Sequence, residues 1–433
     1  YHYAPKPWAI YFGAKFHQVG ATTMKMRTLI CASMAFIGLL FISIAPVQAE
    51  DVNAKGKFEV KTDDGDFSFK FGGQLQVDIA LYDEDMTQLN NGTEFRRARL
   101  FASGKMFKNW EYKAQYDFAG NEVTLKDAYI RYAGLENGKI IIGQFKQPFS
   151  LENLTSSKYI TFMERASPNA LATGRRIGAG YNRGLGANGT LAFSVYGQEA
   201  DAGDAGDEGF GASARVTFAP VKSDDRLLHV GFAVAQEKPE DGLNDTFRFR
   251  SRPESHVTDT RLVDTGALAN SEKLTKYGVE FAWVRGRFSL QSEYIAADVS
   301  RKTGFQDVDF DSFYIYGSFF INGDSRAKAY KDGSFGRVKP NSGSAWEIAL
   351  RYSTIDLNDI NSVVSPAPGA PILTGVFGGK QNTVTLGVNY YANNNIRFMM
   401  NYIAVDAEQT DPLTGLKFDD SPNVLQFRAQ IDF

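Results

Sequence analysis

The strongest constraint on the fold lies in the last eleven residues, 423–433, where apolar and polar side chains alternate from Leu425 onward. The apolar positions are Leu425, Phe427, Ala429, Ile431 and Phe433, and the polar ones are Gln426, Arg428, Gln430 and Asp432. Because successive side chains of a β-strand point to opposite faces, this segment has one apolar and one polar face. Strands of about ten residues with this alternation, flanked by aromatic residues, are typical of membrane-spanning barrels.

The same alternation recurs upstream and gives about sixteen candidate strands in all. They are residues 67–82, 94–107, 110–120, 124–134, 139–145, 176–183, 190–199, 209–219, 227–236, 276–285, 287–298, 310–321, 344–356, 382–392, 396–406 and 423–433. An even number of strands is typical of single-chain outer-membrane barrels. The count therefore favours one large barrel over two or three soluble domains.

The connections between these strands alternate between tight turns and long loops. The long loops are residues 83–93, 146–175, 237–275, 357–381 and 407–422. Short periplasmic turns and longer extracellular loops have this arrangement. Segment 322–343 is the exception, because it is long, basic and on the turn side. We predict an all-β fold, a 16-stranded antiparallel transmembrane β-barrel with an inward-folded third loop.

Aromatic residues lie near the ends of many candidate strands. They are Phe67, Tyr82, Trp110, Phe118, Trp283, Tyr294, Trp346, Tyr390 and Tyr402. Aromatic side chains at both membrane interfaces form such girdles in outer-membrane barrels. A general preference of aromatic residues for strands is the alternative explanation.

The N-terminal region has the features of a secretory signal peptide. Lys25 and Arg27 precede an apolar run, residues 29–44, and Ala49 is a small residue at its exit. A retained membrane anchor is the alternative. We expect an upstream extension that is not native at 1–23, a signal peptide at 24–49, a periplasmic lead-in at 50–66 and the membrane β-barrel at 67–433. The sole cysteine, Cys31, lies in the signal peptide, so the mature chain is expected to lack disulfides.

The total charge opposes anion binding. The chain has 47 basic and 50 acidic residues, a net charge of -3. Residues 1–49 contain four basic residues and no acidic one, so the mature balance is 47 - 4 = 43 basic against 50 acidic, or -7. Any preference for anions must therefore come from where the basic residues lie.

Strand parity places several charged residues in the lumen. In residues 95–100, Arg97 and Arg99 fall on the inward parity. Arg96 falls on the outward parity, but a twist at the strand start could turn it inward. Asp127 shares the inward parity of its own strand. These residues are candidates for an anion site, and a web of salt bridges on the lumen wall is the alternative.

Two long loops carry further basic residues. Segment 146–175 is too long for a plain hairpin, and folding it inward would narrow a sixteen-strand lumen. It carries Ser157 and Lys158, and donors of these types at a constriction would favour anions. Loop 237–275 carries an arginine run at spacing two, which places its members on one face of an extended segment. That run is Arg248, Arg250 and Arg252, with Arg261 further along. A solvated loop edge is the alternative.

The motifs that would indicate an enzyme are absent from the sequence. It has no phosphate-binding loop and no HExxH zinc motif, and we predict no cofactor and no metal site. His229 and His256 are the histidines of the mature chain. A barrel phospholipase with a Ser–His pair is the alternative that these histidines leave open.

Several motifs resemble the phosphate-selective porins of the O and P type. The motifs are Phe67-Ser68-Phe69-Lys70-Phe71-Gly72-Gly73, Phe95-Arg96-Arg97-Ala98, Asn109-Trp110-Glu111-Tyr112, Thr155-Ser156-Ser157-Lys158 and Gly387-Val388-Asn389-Tyr390-Tyr391-Ala392-Asn393. The resemblance covers nearly the whole mature chain and implies a homotrimer. It implies anion binding at Arg96, Arg97, Asp127, Ser157 and Lys158, an arginine ladder at Arg248, Arg250 and Arg252, and a periplasmic lysine sink at Lys70, Lys331 and Lys339.

Three positions depart from the pattern of that family. Gln74 stands where an arginine completes the family's anion site, and Asn153 stands where a lysine is expected. Arg99 replaces a tyrosine, so one positive charge is gained nearby. An anion preference is therefore expected, without strict specificity for phosphate.

The sequence as a whole predicts a porin of the Gram-negative outer membrane that passes small anions, most of all phosphate or polyphosphate. The predicted partners are these anions, outer-membrane lipid, two further copies of the chain, and the barrel-assembly machinery through Phe433, with no nucleic acid. A general or organic-solute porin and a structural or adhesive barrel that does not conduct are the alternatives.

Overall fold

The computed structural model describes residues 58–200, 207–240, 245–363 and 372–433. Within them the chain forms one antiparallel sheet that closes into a barrel. The predicted upstream extension, the predicted signal peptide with Cys31, and residues 50–57 of the predicted lead-in lie outside the described residues. Among the described residues, no helix has the length and apolar character needed to cross a membrane.

Sixteen strands form the barrel wall, as the alternation predicts. In chain order they are β1 Ser68–Asp83, β2 Gly92–Met106, β3 Trp110–Asp117, β4 Thr124–Leu135, β5 Gly138–Lys146, β6 Arg175–Leu185, β7 Gly189–Tyr196, β8 Gly211–Lys222, β9 Arg226–Glu237, β10 Ser271–Arg285, β11 Phe288–Arg301, β12 Val308–Phe320, β13 Ala345–Val363, β14 Ile372–Tyr391, β15 Ile396–Thr410 and β16 Asn423–Asp432. Each strand pairs with its sequence neighbours, and β1 closes the barrel against β16.

Short strands and helical turns lie outside the wall. Phe58–Lys61 pairs with the start of β1, and Lys417–Asp420 pairs with the end of β15. The small hairpins are Arg250–Ser251 with Val263–Asp264, and Tyr330–Lys331 with Ser334–Phe335. The helical elements of the described residues are one α-helical turn, Leu151–Leu154, and three 3₁₀ turns: Ala119–Asn121, Ser167–Ala170 and Ala327–Ala329.

The pairing of β1 with β16 runs from Gln74 opposite Asp432 to Asp83 opposite Asn423. In β16, the side chain of Arg428 is 2% exposed, whereas Phe427 and Ile431 are 38% and 42% exposed. This is the inverse of a soluble protein, in which apolar side chains are buried. A barrel surrounded by lipid requires that inversion, because its outer surface must be apolar.

Most aromatic side chains predicted for the girdles are exposed on the outer face. They include Phe67, Trp110, Phe118, Trp283, Tyr294, Trp346 and Tyr402. Tyr390 is half-buried, and Tyr82 is buried with its hydroxyl 2.7 Å from Ser255 Oγ. Its parity in β1 turns it inward, so assigning it to the outer girdle was wrong.

The predicted loop 357–381 is mostly strand. Both β13 and β14 continue through it, with a register shift between Asp356 and Asn358. Glycine and proline residues within 357–381 concealed the strands, because these residue types usually mark turns. The turn-side segment 322–343 is irregular, as its position suggests, and contains one short hairpin.

Candidate functional site

A cavity of about 1340 Å³ lies along the first half of the barrel wall. Its lining comes from β1–β8 and the turns between them, from Glu59, from residues 147–174 and from the turn-side residues 330–334. The lining contains fifteen basic and five acidic residues. The basic residues are Lys70, Arg97, Arg99, Lys105, Lys113, Arg131, Lys139, Lys146, Lys158, Arg165, Arg175, Arg183, Arg215, Lys222 and Lys331. A cavity with this excess favours anions electrostatically.

Strand β2 carries the three predicted arginines, of which Arg97 and Arg99 line this cavity and Arg96 does not. Its pairing with β1 shifts register so that Gln76 lies opposite Arg97 and Val77 opposite Phe95. Arg96 is therefore the extra residue of a β-bulge, which redirects its side chain from the parity of a regular strand. The sequence predicted that a twist could turn Arg96 inward, and the bulge is the local distortion at that position.

Arg96 and Arg97 both meet Glu164 of the 147–174 segment. Arg96 Nε and Nη2 donate to the two carboxylate oxygens of Glu164 at 2.7 and 2.9 Å. Arg97 Nη2 lies 3.8 Å from the same carboxylate, and Arg97 Nη1 donates to Gln76 Oε1 at 2.7 Å. Arg428 from β16 donates to Glu164 as well, at 2.7 Å.

The other wall charges of the predicted site are also paired. Arg99 Nε donates to Asp117 Oδ2 at 2.6 Å. Asp127 accepts from Lys113 Nζ at 2.5 Å and from Arg175 Nε at 2.7 Å. The alternative of a salt-bridge web on the lumen wall therefore describes part of this region, although Arg97, Arg99 and Asp127 also line the cavity.

Ser157 and Lys158 lie on the same cavity. Ser157 Oγ accepts a long hydrogen bond of 3.4 Å from Gln74 Nε2. Lys158 Nζ lies 3.6 Å from Asp432 Oδ2, and burial lowers the pKa of this ammonium group while Asp432 opposes the shift. Gln74 thus occupies the position where the family resemblance implies an arginine, and its amide reaches the serine.

Phe101 brings three lysines together. The Nζ atoms of Lys70, Lys158 and Lys113 lie 5.6, 5.7 and 5.8 Å from the centroid of its ring. Distances of this size allow cation–π attraction. Lys70, predicted as part of a periplasmic sink, therefore lies in the same cluster as Lys158.

Residues 147–174 are held by side chains from around the wall. Glu293 of β11 accepts from the backbone N–H groups of Leu151 and Glu152 at 2.9 and 2.7 Å. Arg397 of β15 donates to the carbonyl oxygens of Ile160 and Thr161 at 2.7 and 2.8 Å.

One glycine of the wall makes room for this segment. A Cβ at Gly387 of β14 would lie 3.1 Å from the ring of Phe162, so a larger residue there would push against the segment. Gly387 belongs to one of the motifs that carry the family resemblance.

The predicted arginine ladder is partly neutralised by its own loop. Arg248 donates to Asp264 at 2.5 and 2.8 Å, and Arg252 donates to Asp259 at 2.5 Å. Arg261 Nη1 donates to the carbonyl oxygen of Asp259 at 2.7 Å.

Arg250 differs from the other ladder arginines. It is exposed and makes no ion pair within the described residues. Glu254, further along the same loop, is buried and pairs with Arg351 of β13, which fixes the loop to the wall.

The remaining lysines of the predicted sink are separated. Lys331 lines the cavity at its turn-side end. Lys339 is exposed and does not belong to the cavity lining. The three predicted sink lysines therefore do not form one cluster.

The residues that contact the predicted site and were not predicted from the sequence include Phe101, Lys113, Glu164 and Arg175. Phe101 continues the inward parity of Arg97 and Arg99, so the alternation itself could have revealed it. Glu164 and Arg175 depend on contacts between distant segments, for which the sequence offers no local signal.

The two histidines among the described residues have polar partners that are not serines. His256 Nδ1 lies 2.9 Å from a carboxylate oxygen of Glu94. His229 lies between the hydroxyl of Tyr330 at 2.7 Å and the carboxylate of Glu280 at 3.1 Å. These contacts give each histidine a place in the hydrogen-bond network of the barrel.

Comparison with known proteins agrees with this architecture. Residues 69–433 match the family model of the phosphate-selective porin O and P. Porin O of Pseudomonas aeruginosa is 29% identical over 448 aligned residues, which cover 96% of this chain and 99% of that protein. Such relatives point to a channel rather than an enzyme.

Solved structures share the barrel fold at low sequence identity. The anion-selective porin from Comamonas acidovorans has a TM-score of 0.53 and 12% identity, covering 85% of this chain and 100% of that one. The trimer form of OmpT, an outer-membrane protein of Vibrio cholerae, has a TM-score of 0.50 and 13% identity, covering 85% and 99%.

Proposed function

The chain belongs to the phosphate-selective porin O and P family of the Gram-negative outer membrane, and on that premise we propose that it passes small anions passively, with phosphate or polyphosphate as its main solutes. The observation that carries this proposal is the cavity lining, in which fifteen basic residues face five acidic ones. The whole chain has a net charge of -3, so the basic residues are concentrated at the cavity.

The proposed pathway follows the charges inward. Arg250 and the other ladder arginines, Arg248, Arg252 and Arg261, draw anions toward the mouth through their field. The anion then meets a constriction formed by the wall and the inward-folded 147–174 segment. Its proposed ligands are Arg96, Arg97, Arg99, Ser157 and Lys158, with Asp127 orienting Lys113 and Arg175. Lys70 and Lys331 draw the anion on toward the periplasm, and Lys339 acts outside the cavity.

The hydrogen bonds of residues 147–174 support the proposed constriction. Glu293, Arg397 and Arg428 lie on three different strands, and all three bind this one segment. A segment fixed to inward side chains on several strands is suited to narrowing the lumen. A narrow passage forces an anion to exchange part of its water shell for arginine, lysine and hydroxyl donors.

A broader anion porin is the second candidate, and the ion pairs of the site favour it. Arg96, Arg99 and Lys158 each already have a carboxylate partner. Gln74 and Asn153 also stand where the family resemblance implies positive charges. These features reduce the charge available for a strict phosphate site, so organic anions would compete with phosphate.

We further propose a homotrimer that the barrel-assembly machinery inserts through its C-terminal Phe433. The trimer form of OmpT, which has the same fold, supports the oligomer. Phe433 is exposed on the apolar parity of the closing strand and lies within reach of outer-membrane lipid. Mass measurement of the purified protein in detergent tests the trimer, and a monomeric mass would contradict it.

Single-channel recording in planar bilayers tests the proposed function. Purified protein in potassium chloride should give discrete conductance steps, and added phosphate should block the chloride current in a saturable way. Steps without block by phosphate would favour the broader anion porin. No conductance from correctly folded protein would favour a structural barrel.

A further inference from the structure

Glu164 lies among arginines of the proposed anion site, although it carries the sign of charge that such a site should repel. Its carboxylate accepts hydrogen bonds from Arg96 at 2.7 and 2.9 Å and from Arg428 at 2.7 Å. Arg97 Nη2 lies 3.8 Å away. Three guanidinium groups thus converge on one carboxylate.

This carboxylate has the chemistry of the solute that the site is proposed to bind. Guanidinium groups bind carboxylates and phosphates through the same bidentate pairs of N–H donors. The two oxygens of Glu164 therefore occupy acceptor positions that an oxyanion would use at Arg96. A passing anion can use those donors only when the Glu164 side chain gives them up.

The charges around Glu164 leave room for that exchange. Arg96, Arg97 and Arg428 together carry three positive charges. The carboxylates of Glu164 and Asp78 carry two negative charges, and Asp78 pairs with Arg428 at 2.6 Å. The cluster therefore keeps one net positive charge. The Glu164 side chain is 14% exposed and that of Arg96 15% exposed, so solvent reaches the pair.

The backbone keeps the Glu164 carboxylate close to its arginines. Arg351 Nη1 donates to the carbonyl oxygen of Glu164 at 3.0 Å, and Arg428 donates to that of the preceding residue, Met163. A group held in this way competes as an intramolecular ligand, at an effective concentration in the millimolar range or above. A free anion at lower concentration is at a disadvantage.

We propose that Glu164 is an internal competitor for oxyanions and sets how weakly Arg96 and Arg97 hold them. The inference rests on the proposed function and names the residue that tunes its affinity. Weak binding is what a channel requires, because an anion that binds too tightly does not leave. Glu164 is thus a determinant of both affinity and throughput for anions such as inorganic phosphate.

The test compares phosphate block of chloride current in E164Q with that in the wild-type channel. Glutamine keeps the size of the side chain and removes its charge. We expect the phosphate concentration for half-block to fall about tenfold, equivalent to about 1.4 kcal/mol. In the double variant R96Q/E164Q the tighter phosphate block should disappear, since the donors that E164Q frees belong to Arg96.

Glu152→Gln is the matched control. Glu152 is a buried carboxylate of the same segment that lies 3.9 Å from Arg351 and accepts from the backbone N–H of Ala166 at 3.0 Å, away from Arg96 and Arg97. E152Q should leave the half-block concentration within about twofold of wild type, because it does not free the arginines. If E164Q fails to fold, E164D shortens the side chain and should give a smaller tightening.

Unchanged or weaker block in E164Q, or an equal gain in R96Q/E164Q, would overturn the proposal. A wild-type channel without phosphate block would instead remove the phosphate part of the proposed function. In that case the reversal potential in a chloride gradient still decides the role of Glu164. E164Q should shift it toward anions relative to wild type, and an unshifted potential would contradict the inference.

Discussion

The two halves of the barrel wall share one alternating pattern, but their inward charged side chains are buried to different extents. In β9–β16, inward charges such as Glu293 and Arg351 are 2% and 1% exposed. In β1–β8, the inward side chains of Arg131 and Lys139 are 28% and 44% exposed and line the cavity.

Three segments account for this difference. Residues 147–174, 245–270 and 321–344 hydrogen-bond to inward side chains of β9–β16 or pack apolar side chains against them. Phe149 and Phe249 belong to one such buried cluster with Ile295 of β11. The second half of the wall thus holds the segments in place, and the first half leaves part of its charges, such as Arg131 and Lys139, open to solutes.

The largest expected effect of a single substitution is a loss of stability in β9–β16, the half of the wall whose inward charges are buried. Arg351→Met leaves the buried carboxylates of Glu254 and Glu152 without their guanidinium partner. We expect a loss of about 3–5 kcal/mol, the range for breaking a buried ion pair. Urea unfolding of the folded barrel in detergent measures it.

Arg131→Met is the matched substitution in β1–β8, where this inward arginine is more exposed. Arg131 also pairs with a carboxylate, Glu111, but water reaches the pair. The expected loss is about 0–1 kcal/mol. Equal losses for the two variants would remove the distinction between the halves.

A smaller effect, on anion binding rather than on stability, is expected at the cavity. Lys158→Glu places a carboxylate beside Asp432 and next to the lysine cluster at Phe101. We expect the phosphate concentration for half-block to rise about tenfold, or about 1.4 kcal/mol. Lys417→Glu makes the same change at an exposed lysine that does not line the cavity and should have little effect. An unchanged half-block in K158E would exclude Lys158 from the pathway.

The alternation predicted the barrel because lipid and water sort side chains along every wall strand in the same way. The alternation correctly predicted that Arg97 and Arg99 face inward. It failed where the regular period of two is broken or where the chain leaves the membrane. The bulge at Arg96 is one such break, since a shift of one residue reverses the face of a side chain.

The partners of the site could not be read from the sequence. Glu164 is 68 residues from Arg96 and 264 residues from Arg428. Composition and spacing describe neighbours along a strand, whereas this cluster depends on how a whole segment packs in the barrel. The extension of β13 and β14 was missed because glycine and proline residues interrupt 357–381, and because apolar side chains there, such as Leu357 and Val376, pack in a buried cluster.

The smallest expected effect concerns the extracellular loop. Arg250→Gln removes an exposed charge, so it should lower chloride conductance by less than about twofold in 0.01 M salt, where the Debye length is about 30 Å. In 1 M salt that length is about 3 Å, and the difference should vanish. Lys417→Gln, which removes a lysine paired with Glu408, is the control. A loss that persists in 1 M salt would mean that Arg250 contacts the solute directly.

The reversal potential of the wild-type channel across a tenfold gradient of potassium chloride tests the central claim most directly. If the inward cations of β1–β8 control permeation, the potential should lie on the side of chloride permeation at neutral pH. A potential near zero, or one on the side of potassium, would contradict the account, because the basic cavity would then not lie on the conducting path.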